Sequence, residues 1–529
     1  EEPLRLATRK GLLLDGVEGA GNFDLVISLP MLRDLSFDDV ELAFGATFDG
    51  VRLPGVIAGR DLDSSDFEVR AGPTWFEARG RGTIVGVPLN LAFVSDAAND
   101  SEILTATGRV NADDLDDLGV PSVLGLAGTV AIDASADVRD KDRPNLDVVV
   151  DITTAEVLFE PLSLWKPEGI QGELRATVIQ EPAGVTIESA TASWAGVELA
   201  AEGSVDAAGR LERLLVDPIV IGGSSARLAI VREGELLDVQ LTGSRLEFDP
   251  QQLFRQQDRD TRPAAPADAT ATEDLRATID LGEVVTGNGL GFAQVTGLVE
   301  RVDGIIQRAD LRGATLASAA PFTLTIEPRT AGHQLVLTSD DAGDVLQGLG
   351  LSQALHGGRL RIDGLITRQR PDLLAEGSLE LDDFVIRKGP TAIKVLSLTP
   401  PIEGLDPDAI QIDRFTGTFG IDGDTLRIGD VLMVGSNIAV RANGTFDLAS
   451  DRIDLQGNLA PLATVNRFLG RVPLIGALLQ GSSGAGAFAV TFTVVGDPAN
   501  PEVTVNPFSL LAPGVLRDLF GGTPMPETN

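Results

Sequence analysis

From Ile438 the apolar residues occupy every second position: Ile438, Val440, Ala442, Gly444, Phe446 and Leu448, with Ala439, Arg441, Asn443, Thr445 and Asp447 between them. The same period recurs at Leu174, Ala176 and Val178 against Glu173, Arg175 and Thr177. It recurs again at Phe488, Val490, Phe492 and Val494 against Ala487, Ala489, Thr491 and Thr493. Successive side chains of a β-strand point to opposite faces, so this pattern predicts strands with one dry and one wet face, as in antiparallel sheets. Helical periodicity is scarce. The chain reads as all-β.

A loose repeat, glycine followed by apolar residues at alternate positions and often closed by Asp, starts at Gly108, Gly128, Gly203, Gly377, Gly417 and Gly444. We expect these glycines to open strands after turns. Their spacing is irregular, which excludes a fixed-period solenoid and suggests a meander of unequal hairpins. One strand and turn every ~13–16 residues gives roughly 33–40 strands. At about 4.8 Å per strand, one continuous sheet would run on the order of 160–190 Å. Open sheets of more than about ten strands curl or split. The expectation is a long, curled, mostly antiparallel sheet forming an elongated U-shaped hydrophobic groove; separate β-sandwiches would use the same alternation.

Breaks in the pattern suggest four segments. Residues 1–250 form a first part of the groove and 274–456 a second. Between them, 251–273 is polar and rich in Ala, Pro and Thr, and reads as a loop or linker. Residues 457–529 form a C-terminal cap with short amphipathic helices, expected within Pro461–Leu479 and Phe508–Phe520. A further short helix is expected within Asp340–Leu355, capped by Asp340 or Asp341 and stopped by Gly357-Gly358.

Composition adjusts this picture. The 529 residues are 43% hydrophobic but only 5% aromatic, with 59 Gly and 29 Pro, ample for a large aliphatic core and many turns. Against 42 basic residues stand 78 acidic ones, a net charge of −36. Such a surface repels phosphate backbones, which argues against nucleic acid, and favours solubility. Cysteine is absent, so disulfides, thiolate metal sites and Cys nucleophiles are excluded. The sequence begins Glu-Glu-Pro rather than Met and reads as a mature product or a fragment. The longest uncharged run, Val472–Gly496, is divided by Gln480-Gly-Ser-Ser-Gly-Ala-Gly486 and is poorly suited to spanning a bilayer.

Candidate chemistry is thin. His333 and His356 are the two histidines, and neither has a nucleophile or metal partner nearby in sequence. Acid doublets at Asp38-Asp39, Asp113-Asp114, Asp116-Asp117, Asp340-Asp341 and Asp382-Asp383 are what turns in so acidic a chain produce. They show no calcium-loop spacing. Gly287-Asn-Gly-Leu-Gly291 lacks the lysine and following helix of a phosphate loop. Trp75, Trp165 and Trp194 sit in β-like surroundings and are expected in the core. The reading is a non-enzyme without cofactor or metal. One anomaly is the acid-free stretch Leu455–Gly496, which retains Arg467 and Arg471. A segment near anionic headgroups would have this bias, and so would a buried end-cap.

The stretch Gly457–Gly481, with Pro461, Asn466, Gly470, Pro473, Gly476 and Gly481, resembles the C-terminal region of the AsmA-like, YhdP-type family. Gly496–Arg517 continues the likeness through Pro501, Asn506, Pro507 and Pro513. Ser339–Gly343, Leu349-Gly350, Gly357-Gly358 and Trp165-Lys-Pro167 resemble it too. The resemblance covers about Ser339–Phe520 strongly and weakens towards the start. It implies a periplasmic β-groove protein of Gram-negative bacteria, anchored in the inner membrane by an N-terminal helix lacking from this sequence. Such proteins are bridge-like conduits carrying phospholipid between inner and outer membranes, with envelope proteins as possible partners.

On this reading Ile438, Val440, Phe446, Leu448, Phe488, Val490, Phe492 and Val494 line the lipid path. Phe468, Leu469, Leu474, Ile475, Leu478 and Leu479 are candidates for membrane or partner contact. A dry core is the plain alternative for both sets. The rival functions are a structural envelope protein or adhesin of closed β-sandwiches and a β-rich carbohydrate-active enzyme. The absence of tyrosine weighs against sugar-stacking platforms.

Overall fold

The computed structural model describes residues 18–28, 41–57, 60–72, 74–114, 125–140, 143–159, 164–247, 273–286, 289–369, 373–387, 406, 408–461, 490–498 and 500–506. Among them are twenty-nine strands, one α-helix and a 3-10 turn at Ala112–Asp114, so the architecture is all-β and mostly antiparallel. Many strands run ten to fourteen residues. The chain divides into two compact units, meeting at Arg232 and Glu233.

The first unit opens with β1 (Glu18–Ser28), β2 (Glu41–Ile57), β3 (Arg60–Ala71), β4 (Trp75–Ile84) and β5 (Val87–Asp96). There follow β6 (Ser101–Asn111), β7 (Gly125–Asp137), β8 (Asn145–Asp151), β9 (Ala155–Phe159) and β10 (Leu164–Lys166). It closes with β11 (Gly172–Glu181), β12 (Gly184–Trp194), β13 (Val197–Asp206), β14 (Leu211–Ile221) and β15 (Ser224–Glu233). Each strand pairs antiparallel with the next up to β8, which pairs directly with β11. β9 and β10 leave this ladder. They form a small separate sheet with the first residues of β7, Gly125–Gly128, and Gly128 turns the corner at φ +96°.

The second unit contains β16 (Leu236–Glu247), β17 (Asp274–Val285), β18 (Gly291–Val302), β19 (Ile305–Thr315) and β20 (Pro321–Arg329). After β21 (Gly332–Ser339) come α1 (Ala342–Gly348), β22 (Leu355–Arg368), β23 (Leu374–Arg387) and β24 (Ala409–Asp422). The last strands are β25 (Thr425–Gly435), β26 (Ile438–Asp447), β27 (Arg452–Pro461), β28 (Val490–Gly496) and β29 (Glu502–Asn506). Here too neighbours in sequence pair antiparallel, with one exception. β16 and β17 are parallel, so the meander of hairpins breaks between them. A parallel pair needs a returning connection of a dozen residues or more. The polar segment 251–273 lies in that connection and, save Glu273, outside the described residues.

Several expectations need correcting. The repeat glycines do not open strands; Gly108, Gly203, Gly377, Gly417 and Gly444 lie inside them. They leave room for the neighbouring strand, its side chains and, at Gly203, Gly377 and Gly444, its backbone carbonyls. A Cβ on Gly108 would come within 2.7 Å of Leu89 Cδ2, on Gly377 within 2.7 Å of Phe419 Cζ, and on Gly444 within 2.7 Å of Leu455 Cδ2. The short helix is present with Asp341 as its N-cap, but it ends at Leu349, ahead of Gly350 at φ +71°. Gly357-Gly358 belong to β22 instead. The helices expected within 461–479 and 508–520 fall outside the described residues. Strands β27, β28 and β29 of the expected cap extend the second unit's ladder.

Candidate functional site

Following the register across the strands shows what the alternation builds. In the second unit one row reads Leu241, Ile279, Gly297, Leu311, Leu324, Leu337, Ile362, Leu379 and Gly417, each paired with the next. A Cβ on Gly417 would touch Val431, and the row continues as Val431, Ala442, Gly457, Phe492 and Val505. Fourteen strands are crossed without one polar side chain. Two residues along, a second row behaves identically: Val239, Ala277, Val299, Ala309, Ile326, Leu335, Gly364, Gly377, Phe419, Ile428, Gly444, Leu455, Val494 and Val503.

The row on the other side of Leu241 faces the other way and is polar at all but one position: Thr242, Asp280, Thr296, Arg312, Thr323, Thr338, Arg361, Glu380 and Thr416, then Leu432, Arg441, Asn458, Thr491 and Asn506. On this face Arg276 pairs with Glu300 at 3.0 Å, Arg361 with Asp363 at 2.8 Å and Arg414 with Asp382 at 2.9 Å. Gln334 donates to Asp363, and that hydrogen bond, aided by Arg361, holds its carboxyl below the ordinary range. Exposed pairs of this kind add little stability, but they keep the face wet.

The first unit repeats the arrangement. Its row runs Phe23, Ala46, Val69, Ala78, Phe93, Leu104, Ala136 and Leu146, then Val178, Ile187, Gly203, Leu214 and Ile230. Thirteen strands again carry no polar member.

Burial along the strands is uneven. In both units most of the buried side chains gather at one end of the strands. These are Ile84, Val87, Val130, Ile152, Val157, Trp194 and Val197 in the first unit. In the second they are Leu360, Phe384, Ile410, Ile412, Ile438, Leu459 and Val490. Several turns at these ends are uncharged, as in Val85-Gly86, Ala195-Gly196 and Ser436-Asn437. At the opposite ends many are acidic: Asp206 and Asp447 accept backbone N–H bonds within their turns, and Asp96 accepts from the Asn99 side chain and then from the Ala98 N–H, which holds each carboxyl below its usual range. Between the two ends, Leu324, Leu337, Ile362 and Leu379 in the second unit are only half-buried, as are Leu104, Leu146, Val178 and Ile187 in the first.

Different devices seal the buried ends. In the first unit Lys166, fully buried, donates to the carbonyls of Ile152 at 2.7 Å, Ala155 at 2.9 Å and Pro167 at 3.3 Å. Burial pushes its pKa down, opposed by the charges of Asp151 and Glu168. In the second unit α1 covers the end. Asp344 accepts from Ser318 N–H at 2.9 Å and from the Thr315 hydroxyl at 3.1 Å, which ties the helix to the end of β19. The seven-residue helix, roughly 10 Å long, touches β18 and β19 on one side and β22 and β23 on the other. In a flat sheet β18 and β23 stand about 24 Å apart. These strands therefore bend around the helix, apolar face inward.

The expected lining residues fall on this face, but not equivalently. Val440 and Phe492, 8% and 7% exposed, belong with Ile438 and Val494 to the sealed cluster, and Val490 is buried as well. Phe446 is half-buried on the open part of β26. Leu448 lies beyond the strand, in the turn after Asp447, and is 38% exposed. Phe488 and the whole contact set Phe468, Leu469, Leu474, Ile475, Leu478 and Leu479 lie outside the described residues. Of the tryptophans only Trp194 is core; Trp75 is exposed, and so is Trp165, whose Nε1 donates to Glu156 at 2.5 Å. His333 and His356 are strand residues bonded to Gln307 and Gln347. Among the described residues no cluster of acids and histidines is arranged to hold a metal, and no helix is long and apolar enough to cross a membrane. The half-buried rows were missed as specific residues because pairing register cannot be read from one strand.

No family model matches the chain, and no curated protein or solved structure matches it.

Proposed function

We propose that the half-buried apolar face binds lipid acyl chains, and that the protein carries phospholipid through the periplasm between inner and outer membranes. The observation that carries this reading is the continuity of the rows: thirteen or fourteen strands crossed with no polar interruption, and most of the members only half-buried, although Ala46, Ala78, Ala309, Ile326, Val431, Phe492 and Val494 are buried. Closed sandwiches would bury such rows on both inner faces.

The energetics favour a lining of this kind. Exposing a diacyl lipid of about 30 methylenes to water costs roughly 20–25 kcal/mol, at about 0.8 kcal/mol each. An uninterrupted apolar row removes most of that cost along its length. The open ends of the strands leave the headgroup in water. The lining selects nothing by hydrogen bonding, and the sequence offers no nucleotide motif, so direction comes from partners or from a lipid gradient. The resemblance of Gly457–Gly481 and Gly496–Arg517 to the YhdP-type region supports the same reading.

Mass spectrometry of lipid extracted from protein purified out of native membranes tests it. Phospholipid is expected to co-purify; none would sink the reading. A charge at a half-buried row position, Leu324→Glu, should lower the lipid retained per chain by roughly tenfold. Thr323→Glu, one residue away on the wet face, should leave it unchanged.

A further inference from the structure

The open side of the second unit's face is interrupted at one place. Pairing between β19 and β20 ends at Ala309 and Ile326, whereas β20 and β21 stay paired as far as Arg329 and Gly332. Pro328, which has no N–H, lies in the stretch where β20 has parted from β19. The backbone of Ile306, past the parting, is taken by a side chain from elsewhere. Ile306 N–H donates to Gln369 Oε1 at 2.8 Å, and Gln369 Nε2 donates to Ile306 O at 2.8 Å. The amide of Gln369 thus does what a neighbouring strand would do. A second contact follows the same line: His333 Nε2 lies 3.0 Å from Gln307 Oε1.

The distance matters. Gln369 directly follows β22, and three strand spacings separate β19 from β22, about 14 Å in a flat sheet. A glutamine side chain reaches roughly 5 Å from its Cα. The sheet must therefore fold on itself here, drawing the ends of β19 and β22 together past the β20–β21 hairpin. α1 performs the same closure at the other end of these strands.

We propose that Gln369 is a releasable clasp on the lipid face, closing its open side between β19 and β22 and admitting lipid there when it lets go. The proposal rests on the lipid reading above and adds a point of control to it. Both clasp bonds are neutral and involve one side chain, so their loss shifts a closed–open equilibrium by roughly tenfold without requiring the strands to unpair.

The chain has no cysteine, so Ile306→Cys with Gln369→Cys introduces the only thiols, which a short bis-thiol reagent can join. The readout is uptake of a fluorescent phospholipid from vesicles of phosphatidylethanolamine and phosphatidylglycerol. The joined protein should load roughly tenfold more slowly than the same protein left unjoined, and Gln369→Ala should load faster than wild type by a similar factor. Gln369→Glu, which retains an acceptor but loses the donor, should fall between. Equal rates for joined and unjoined protein, or for Gln369→Ala and wild type, would overturn the clasp while leaving the lipid reading intact. Wild-type protein that takes up no lipid would overturn both. Comparing joined with unjoined protein separates the effect of closure from any effect of the substitutions on folding.

Discussion

The two units build the same apolar face and close its buried end by unrelated means. The first folds a two-strand hairpin over it and pins that hairpin with a buried ammonium held by three carbonyls. The second uses one short helix tied down by carboxylates. The difference separates what the fold requires from what it tolerates. Alternation over many strands is shared, since it alone makes the rows, whereas the seal is local and replaceable. The lining is accordingly the part that must stay apolar throughout, and the seals are where stability is concentrated.

The largest effect should come from breaking that division with a charge. Val494 is fully buried in the second unit's sealed cluster, while Val148 in the first unit is half-buried on the open face. Val494→Asp should cost about 4 kcal/mol or more, because an ion there has neither water nor a partner. Val148→Asp should cost less than about 2 kcal/mol. Denaturant unfolding of each variant against wild type measures both. Similar losses at the two sites would mean that the open face is a closed core after all. By the same reasoning a charge at Val440 or Phe492 probes the seal, and Leu324 is the better place to probe the lining.

Next comes the ammonium. Lys166→Met keeps much of the side-chain volume but takes the buried donor from the Ile152 and Ala155 carbonyls; Ile152 O keeps the Ala155 N–H, so the loss should be about 1–3 kcal/mol. Hydrogen exchange should quicken in β9, β10 and the start of β7, with no change in β22 to β24. A uniform change across both units would show that Lys166 stabilises more than its hairpin.

How much of this was legible beforehand follows from the range of each interaction. Period-two alternation at Ile438–Asp447 and Leu174–Val178 is local, so the strands and their two faces could be read directly. The Asp341 cap was legible for the same reason. The glycines misled, because a mid-strand glycine opposite Phe419 or Leu455 looks in sequence like a turn glycine; the distinction lies on the neighbouring strand. The seal around Lys166 was invisible, since its carbonyl partners are set by the turn between β8 and β9 rather than by any side chain. Which alternating residues are sealed and which half-open depends on α1 and the β9–β10 hairpin, so Val440 and Phe446 looked equivalent and are not.

The smallest effect tests the second seal. A helix of seven residues is too short to persist in water without tertiary contacts, so α1 stands only because both of its sides are held. Val345 and Ala342 anchor it in the cluster, and its first turn is fixed twice. Asp341 Oδ1 accepts from the Asp344 N–H at 2.9 Å, and Asp344 in turn grips Ser318 and Thr315. Removing the cap with Asp341→Ala leaves one orphan N–H and should cost about 1 kcal/mol, whereas Asp341→Asn keeps an acceptor and should cost a few tenths. The measurement is the unfolding midpoint of the two variants side by side. Equal losses would assign the effect to the carboxylate's charge rather than to the hydrogen bond. The helix would then be held by Asp344 and its apolar contacts alone, making the second seal simpler than the first.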